Sequence, residues 1–426
     1  MRDLVKASPF YSFSYDESLN DKLQTCQMDL IVRFWDSSCN MVKNRYFGSQ
    51  FLGHSRAVDL LKSFNDATKD VDPNKMIQVA SDGPAVNILL LNLIKTFRSN
   101  SELKELIDIG TCLLHIVNGA FRNGCEATGW DLDKTLKGGY WLFKDSPARR
   151  DDYIKASNSI IFALYFIITR WTENAKAADH LAEIWPNMLA TVRFYEAKCK
   201  SSRPKSKSYL RVLKASRDPL TVTKLDFFPF IASKLEPFLT FFQAEAPMVP
   251  FLHGFLLKVV CSLLGLICKQ SVIEKKVKTL TSFSSLDLGS TEIYLKVSEI
   301  NIGFAAKLTV AKLMRAMEIS APQEAQFRKD CRTFIKRLLE SVKDKGAMCS
   351  LVLRCSSCFD PSFMLESPKK SLSRLSNLAG HFAELGLIPA KVADKAYEQY
   401  SVLLLKSELK SFDIKKHRLD TFFSTL

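Results

Sequence analysis

Several motifs that are diagnostic of common enzyme classes are missing from this sequence of 426 residues. It has no Gly-rich phosphate-binding loop, no Gly-x-Ser-x-Gly turn and no His-Glu-x-x-His pair. These patterns position a nucleotide phosphate, a serine nucleophile and a catalytic zinc ion, respectively. Their absence argues against P-loop nucleotide hydrolases, α/β-hydrolases and zinc peptidases.

Uninterrupted apolar runs long enough to cross a membrane are also missing. Ile160–Ile168 is apolar but has only nine residues, and Arg170 follows it closely. Phe251–Cys268 approaches the ~20 residues that a bilayer requires, but it contains His253 and Lys258. We expect both runs to be buried core elements, and we expect no membrane partner.

The cysteines lack the spacing of a disulfide framework, although the chain has eleven of them. Met1–Lys6 is not an apolar signal segment. Reduced thiols in the nucleus or the cytoplasm are the simplest interpretation. Cys355-Ser-Ser-Cys358 has the spacing of half a zinc site, but no second Cys-x-x-Cys accompanies it. We interpret that pair as incidental.

The charge is strongly positive, with 60 Lys and Arg against 45 Asp and Glu and a formal net charge of +15. Such a balance favours a polyanionic partner, DNA or RNA, although an ordinary basic protein is the alternative. Hydrophobic residues make up 47% of the chain, which is enough to build a core in two or three domains.

The first 115 residues alternate between strand-like and helix-like patterns. The turn Asp36–Asn40 joins the second and third strands into an antiparallel hairpin. The order strand, strand, strand, helix, strand, helix, strand is that of the ribonuclease H-like fold. The predicted strands are 10–18, 28–35, 41–51, 76–82 and 106–112, and the predicted helices are 56–69 and 84–98.

Asp16 and Asp82 stand at the ends of the first and fourth predicted strands. In a sheet of this order the first strand lies between the hairpin and the fourth strand, so the two carboxylates meet at one edge. Paired carboxylates bind Mg²⁺ or Mn²⁺ for phosphoryl transfer. Two aspartates that cap turns are the structural alternative.

After residue 147 the apolar spacing becomes helical. The sequence therefore predicts a ribonuclease H-like core at 1–146, a helical insertion domain at 147–375 and C-terminal helices at 376–426. Ser201–Ser208 is a basic linker that contains proline. The helical predictions are 158–172, 176–199, 224–243, 251–276 and 324–343.

Four local motifs, in this order and spacing, resemble those of hAT-type DNA transposases and transposase-derived proteins. They cover the chain from about residue 10 to residue 200. The motifs are Asp16-Glu17-Ser18, Ser81-Asp82-Gly83 followed by Asn87, Cys112-Leu-Leu-His115, and Thr169-Arg170-Trp171.

The resemblance implies metal-dependent DNA cleavage and strand transfer as the ancestral reaction. Asp16 and Asp82 match the first two catalytic aspartates of the family, which bind Mg²⁺ or Mn²⁺. His115 would lie near the active site and order a phosphate or a carboxylate. A helix-start histidine with a satisfied hydrogen bond is the alternative. We do not assign Glu17 to the metal, because adjacent residues of a strand point to opposite faces.

The resemblance also implies DNA contacts in the helical region. Trp171 would stack on a base and Arg170 would contact phosphate; a core tryptophan beside an ordinary helix-end charge is the alternative. Basic residues of two loops are further candidate phosphate contacts, with a solvated loop as the default interpretation. They are Arg149, Arg150, Arg203, Lys205 and Lys207.

The sequence departs from the family at both ends. The third acid of the family, a glutamate on a C-terminal helix, has no match before Leu426, and no zinc finger precedes the first strand. We therefore expect a nuclear DNA-binding protein that is catalytically incompetent alone and that would form homo-oligomers. A nuclease completed by Glu183 or Glu398 is a further alternative.

A protein-interaction scaffold is the remaining hypothesis. In that case the helical region would bind a partner helix through apolar stretches such as Phe227–Ile231 and Phe238–Phe242.

Overall fold

The structure, a computed structural model, describes residues 1–426 and divides into two compact units. We call them the sheet unit and the helical unit. The sheet unit consists of Met1–Ile116, Phe241–Leu257 and Lys345–Leu426. The helical unit consists of Val117–Thr240 and Lys258–Asp344. The domain boundaries predicted after residues 146 and 375 stay a prediction.

The sheet has four strands in the order β3-β2-β1-β4. β1 is antiparallel to β2, β2 is antiparallel to β3, and β4 is parallel to β1. The first four predicted strands are thus present, with the first between the hairpin and the fourth. Their bounds are Tyr11–Asn20 (β1), Thr25–Asp36 (β2), Met41–Leu52 (β3) and Met76–Ala80 (β4).

The predicted fifth strand is wrong, because residues 106–112 form no regular strand. The Ile107 N–H donates to the Ile77 carbonyl at 2.8 Å, and the Cys112 N–H donates to the Ser81 carbonyl at 3.0 Å. Between these bonds Gly110 has φ +79° and donates its N–H to Asp108 Oδ1 at 2.8 Å. This turn interrupts the ladder, so the segment runs beside β4 without pairing continuously.

Twenty α-helices form most of the remaining structure. The first ten are α1 (Arg2–Ala7), α2 (Ala57–Thr68), α3 (Ala85–Asn100), α4 (Leu113–Ala127), α5 (Leu132–Phe143), α6 (Pro147–Ser157), α7 (Ala175–Glu183), α8 (Trp185–Ala197), α9 (Lys207–Ser216) and α10 (Thr221–Phe241). The other ten are α11 (Val249–Leu264), α12 (Gln270–Lys276), α13 (Leu280–Ser284), α14 (Phe304–Arg315), α15 (Ala321–Lys345), α16 (Leu351–Cys355), α17 (Pro361–Glu366), α18 (Pro368–Glu384), α19 (Ala390–Leu403) and α20 (Leu419–Ser424).

Side-chain alternation along β1 gives the sheet one buried face. Tyr11, Phe13 and Tyr15 point into the core, which also contains Phe64 of α2 and Leu90 of α3. The rings of Phe13 and Phe64 meet edge to face, with centroids 5.9 Å apart. Both helices therefore cover the same face of the sheet, and the even-numbered residues of β1 lie on the other face.

The predicted helix over 158–172 is wrong, since no α-helix forms between α6 and α7. The Asn174 side chain accepts from the Ile167 N–H at 2.7 Å and donates to the Ile167 carbonyl at 2.8 Å. Tyr153 Oη donates to the Ile161 carbonyl at 2.7 Å. These side chains take the place of helical partners, and isoleucine favours extended backbone.

The other predicted helical regions are helical. Two of them are interrupted: 176–199 divides into α7 and α8, and 251–276 divides into α11 and α12. Pro186 lies in the first turn of α8, where a missing N–H costs little. None of the helices combines the length and the apolar character that a membrane crossing requires.

Candidate functional site

Asp16 and Asp82 lie at equivalent distances beyond the last paired residues of two neighbouring parallel strands, β1 and β4. Ser14 of β1 is in register with Ala80, the last residue of β4. Each aspartate follows its paired residue by two positions, so both lie just beyond the last pair of the parallel β1–β4 ladder, at its carboxyl-terminal edge. This is the edge at which open sheets with parallel strands bind ligands. The prediction that Asp16 ends the first strand is wrong, because β1 continues to Asn20 in pairing with β2.

The two aspartates differ in the face of the sheet that they use. Tyr15 Oη donates to the Asn87 carbonyl at 3.3 Å, which fixes Tyr15 on the α3 side. Asp16 follows it on the opposite face, where it is exposed and directly opposite Asp29 of β2. Asp82 Oδ1 accepts from Asn87 Nδ2 at 2.6 Å, so this carboxylate is bound to the first turn of α3.

Glu17 is a member of the site that the sequence analysis left out. It lies two residues after Tyr15, on the α3 side of β1. Burial raises the pKa of Glu17, and the negative charges of Asp82 and Asp16 raise it further. The sequence does show that Glu17 and Tyr15, two residues apart on a strand, share one face of β1. Only the contact of Tyr15 with Asn87 shows that this is the face that approaches Asp82.

Two acceptor oxygens in this region are buried and have no hydrogen-bond donor. They are Glu17 Oε1 and Asn87 Oδ1. Asn87 is only 2% exposed, and its Nδ2 is the group that donates to Asp82. Buried acceptors without donors are costly, so they commonly mark an ion, a water or a protonated group.

His115 lies in the first turn of α4 beside Cys112, and its side chain is exposed. The Cys112 N–H donates to the Ser81 carbonyl, which fixes this turn next to Asp82. A hydrogen bond to Cys112 raises the pKa of His115, and the charges of Asp82 and Asp16 add to the effect. Burial opposes ionisation of Cys112, but its bonds to His115 lower the pKa of the thiol overall.

The donor set at this edge fits a hydrated divalent cation rather than a closed metal centre. Carboxylate and amide oxygens are the ligands that Mg²⁺ and Mn²⁺ prefer, and Mg²⁺ usually keeps several waters. No three His, Cys, Asp or Glu side chains come together in a group that could hold a metal ion. Glu398, exposed on α19, therefore does not complete such a group.

Trp171 and Arg170 lie in the helical unit. The Trp171 indole is 5% exposed and meets Phe166 edge to face, with ring centroids 5.3 Å apart. Arg170 is exposed and pairs with Glu173 at 3.2 Å. The indole face is therefore covered in this structure, and its stacking on a base stays a prediction.

The five candidate cations have different environments within the helical unit. The prediction that they lie in loops is wrong for Arg149 and Arg150, which belong to α6, and for Lys207, which begins α9. Arg149 donates to the Leu142 carbonyl at 2.9 Å, and Arg150 lies 4.0 Å from the centroid of the Phe162 ring. Arg203 donates to the Lys198 carbonyl at 3.0 Å. Lys205 and Lys207 are exposed, as a phosphate contact requires.

No protein-family model matches the chain, and no curated protein matches it in sequence. The resemblance to hAT-type transposases therefore rests on the four local motifs.

Proposed function

We propose that this protein is a hAT transposase-derived, ribonuclease H-like DNA-binding protein that is catalytically incompetent alone. The observation that supports it is the strand order β3-β2-β1-β4, with Asp16 and Asp82 each two residues beyond the last paired residues of β1 and β4. This arrangement agrees with the two aspartate motifs of the resemblance. A nuclear location and homo-oligomers follow from the same resemblance.

The cation would be Mg²⁺ or Mn²⁺ bound at the edge that contains Asp16 and Asp82. When bound, it would neutralise charge on a DNA phosphate. Asp82 would position the ion, and the exposed His115 would contact the phosphate beside it. Because no acid from a C-terminal helix joins the site, we expect weak cation binding and no in-line displacement of a phosphodiester.

DNA affinity would come mainly from charge. A net charge of +15 attracts the DNA backbone without reading its sequence. Lys205 and Lys207 are exposed members of the predicted contact set, and they lack the ring contact of Arg150 and the ion pair of Arg170. They are therefore the residues on which this part of the proposal is best tested.

The test is binding of a 30-bp DNA duplex at several salt concentrations. We expect Lys205→Gln/Lys207→Gln to bind more weakly, with a salt slope smaller by about 0.9 per lost phosphate contact. The control is Lys275→Gln/Lys276→Gln, which removes the same charge from the exposed end of α12. Equal affinity and slope in the two variants would remove these lysines from the interface.

A protein-interaction scaffold remains the second candidate function, but the partner would bind a different surface from the predicted one. Phe227, Phe228 and Phe238 are buried within the helical unit and unavailable to a partner. Ile160 and Ile168, in contrast, are 76% and 60% exposed. Saturable protein binding together with a shallow salt dependence for DNA would favour the scaffold.

A further inference from the structure

We propose that the divalent cation at the edge of the sheet binds between Asp82, Glu17 and Asn87, with Asp16 outside its direct ligands. The inference rests on the proposed function, because it names the ligands of the same cation site. It assigns two residues that the resemblance does not, and it changes the role of a third.

The geometry of β1 separates Glu17 from Asp16. Tyr15 contacts the backbone of Asn87, and Glu17 shares its face of the strand. Asp82 is bonded to the Asn87 side chain at 2.6 Å, so its carboxylate also lies on the α3 side. Asp16 points to the other face. A cation held on the α3 side would therefore contact Glu17 and Asp82 directly.

The two unpaired oxygens point to a ligand at this place. Glu17 Oε1 and Asn87 Oδ1 are both buried without a donor. The remaining carboxylate oxygen of Glu17 has only a weak contact, 3.9 Å from Cys26 Sγ. A divalent cation would bind both unpaired acceptors and would offset the repulsion between Glu17 and Asp82. Two carboxylates and one amide oxygen form an ordinary partial ligand set for Mg²⁺ or Mn²⁺.

Asp16 has a different role in this arrangement. It is exposed on the opposite face and stands directly opposite Asp29, where a second negative charge is unfavourable. Asp29 is itself occupied, since it accepts from Gln27 Nε2 at 2.8 Å and from the Ser49 hydroxyl. Asp16 would act on the cation only through its charge.

The experiment is Mn²⁺ binding to the full chain, measured by calorimetry and by the electron paramagnetic resonance signal of free Mn²⁺. Four variants are compared with the wild type: Asp82→Asn, Glu17→Gln, Asp16→Asn and Asn87→Asp. We expect Asp82→Asn to abolish binding and Glu17→Gln to weaken it roughly tenfold or more, because affinity at oxygen sites depends on charged ligands. Asp16→Asn should weaken binding only about threefold or less.

Asn87→Asp keeps the result interpretable if Glu17→Gln unfolds, which circular dichroism will show. If residue 87 is a ligand, the added negative charge should make Mn²⁺ bind more tightly. If residue 87 only donates a hydrogen bond to Asp82, the new carboxylate should repel Asp82 and weaken Mn²⁺ binding. Wild-type affinity in Glu17→Gln with loss of binding in Asp16→Asn would overturn the inference and leave the proposed cation site standing. Absence of Mn²⁺ binding to the wild type would overturn both.

Discussion

Arg98 brings a positive charge into the interior of the sheet unit without a carboxylate partner. The residue is 2% exposed. Its guanidinium donates to the carbonyls of Lys104, Pro73 and Met76 at distances from 2.6 to 3.3 Å. It thereby joins the end of α3 to the chain on both sides of it, and burial lowers the pKa of the group.

We predict that Arg98→Met destabilises the protein by about 2–4 kcal/mol, because three buried carbonyls lose their donors. Urea unfolding followed by circular dichroism measures the change. Arg56→Met is the matched control, since Arg56 is exposed and pairs only with Asp59, and we expect a cost below about 1 kcal/mol. Equal urea midpoints of unfolding for the two variants would show that the hydrogen bonds of Arg98 do not stabilise the sheet unit.

His253 makes the stability of the sheet unit sensitive to mild acid. Burial, together with the charges of Arg374 and Arg354, lowers its pKa to about 4. Its Nε2 is buried without a partner. The unfolded imidazole has a pKa of about 6.5, so protonation favours the unfolded chain. The stability due to neutral His253 is fully present above that pH and is lost as the pH falls toward 4.

We predict that this single group removes about 2 kcal/mol of unfolding free energy between pH 7.5 and pH 4.5. His253→Gln, which does not titrate, should lose correspondingly less over the same interval. Urea unfolding at the two pH values measures both proteins. An equal loss in wild type and variant would mean that His253 does not control the acid response.

At the scale of elements, α4 and α15 approach closely within the helical unit. A Cβ placed on Gly124 of α4 would lie 2.7 Å from the Phe334 carbonyl oxygen and 3.0 Å from its ring. At Gly119 of the same helix, such a Cβ would meet no atom of a neighbouring element within 4 Å. The sequence gives no reason to distinguish these two glycines, because the neighbour that distinguishes them is more than two hundred residues away.

We predict opposite effects of the same substitution at these two positions. Gly124→Ala should destabilise the protein by about 1–3 kcal/mol, because backbone and ring must move apart. Gly119→Ala should stabilise it by up to about 1 kcal/mol, because alanine favours the helix. Thermal unfolding compares the two, and destabilisation of equal size would contradict the close packing of α4 on Phe334.

The elements that could be predicted are those whose pattern is local. Alternation of apolar residues predicts β1 to β3 within a few residues of their bounds, and the turn Asp36–Asn40 predicts the hairpin. The segment 158–170 could not be predicted, because Asn174 and Tyr153 replace its backbone partners with side chains. The missing fifth strand has a similar cause in the turn at Gly110.

The candidate site could be predicted in part, because some of its residues follow from local patterns and others depend on distant contacts. Asp16 and Asp82 could be predicted from the apolar runs that precede them, whereas the assignment of Glu17 depends on which face of β1 meets α3. That information lies in contacts between residues some seventy positions apart, such as Tyr15 with Asn87.

At the scale of the whole molecule, each compact unit combines distant parts of the chain. In the sheet unit, the C-terminal segment returns to the edge of β3, where Asp420 Oδ2 accepts from the Val42 N–H at 2.8 Å. Arg418 donates to the Val42 carbonyl at 2.9 Å from the same segment. The segment thereby occupies the edge of β3 at Val42, where it prevents pairing with another chain. A linear division of the sequence could not predict this arrangement.

The most direct test of the account is Mn²⁺ binding by the wild type and by Asp16→Ala/Asp82→Ala, with a DNA-nicking assay on the same samples. We predict weak, saturable binding in the wild type, no binding in the double variant, and no nicking by either protein. Absence of binding in the wild type would contradict the cation site. Metal-dependent nicking that is lost in the double variant would contradict catalytic incompetence.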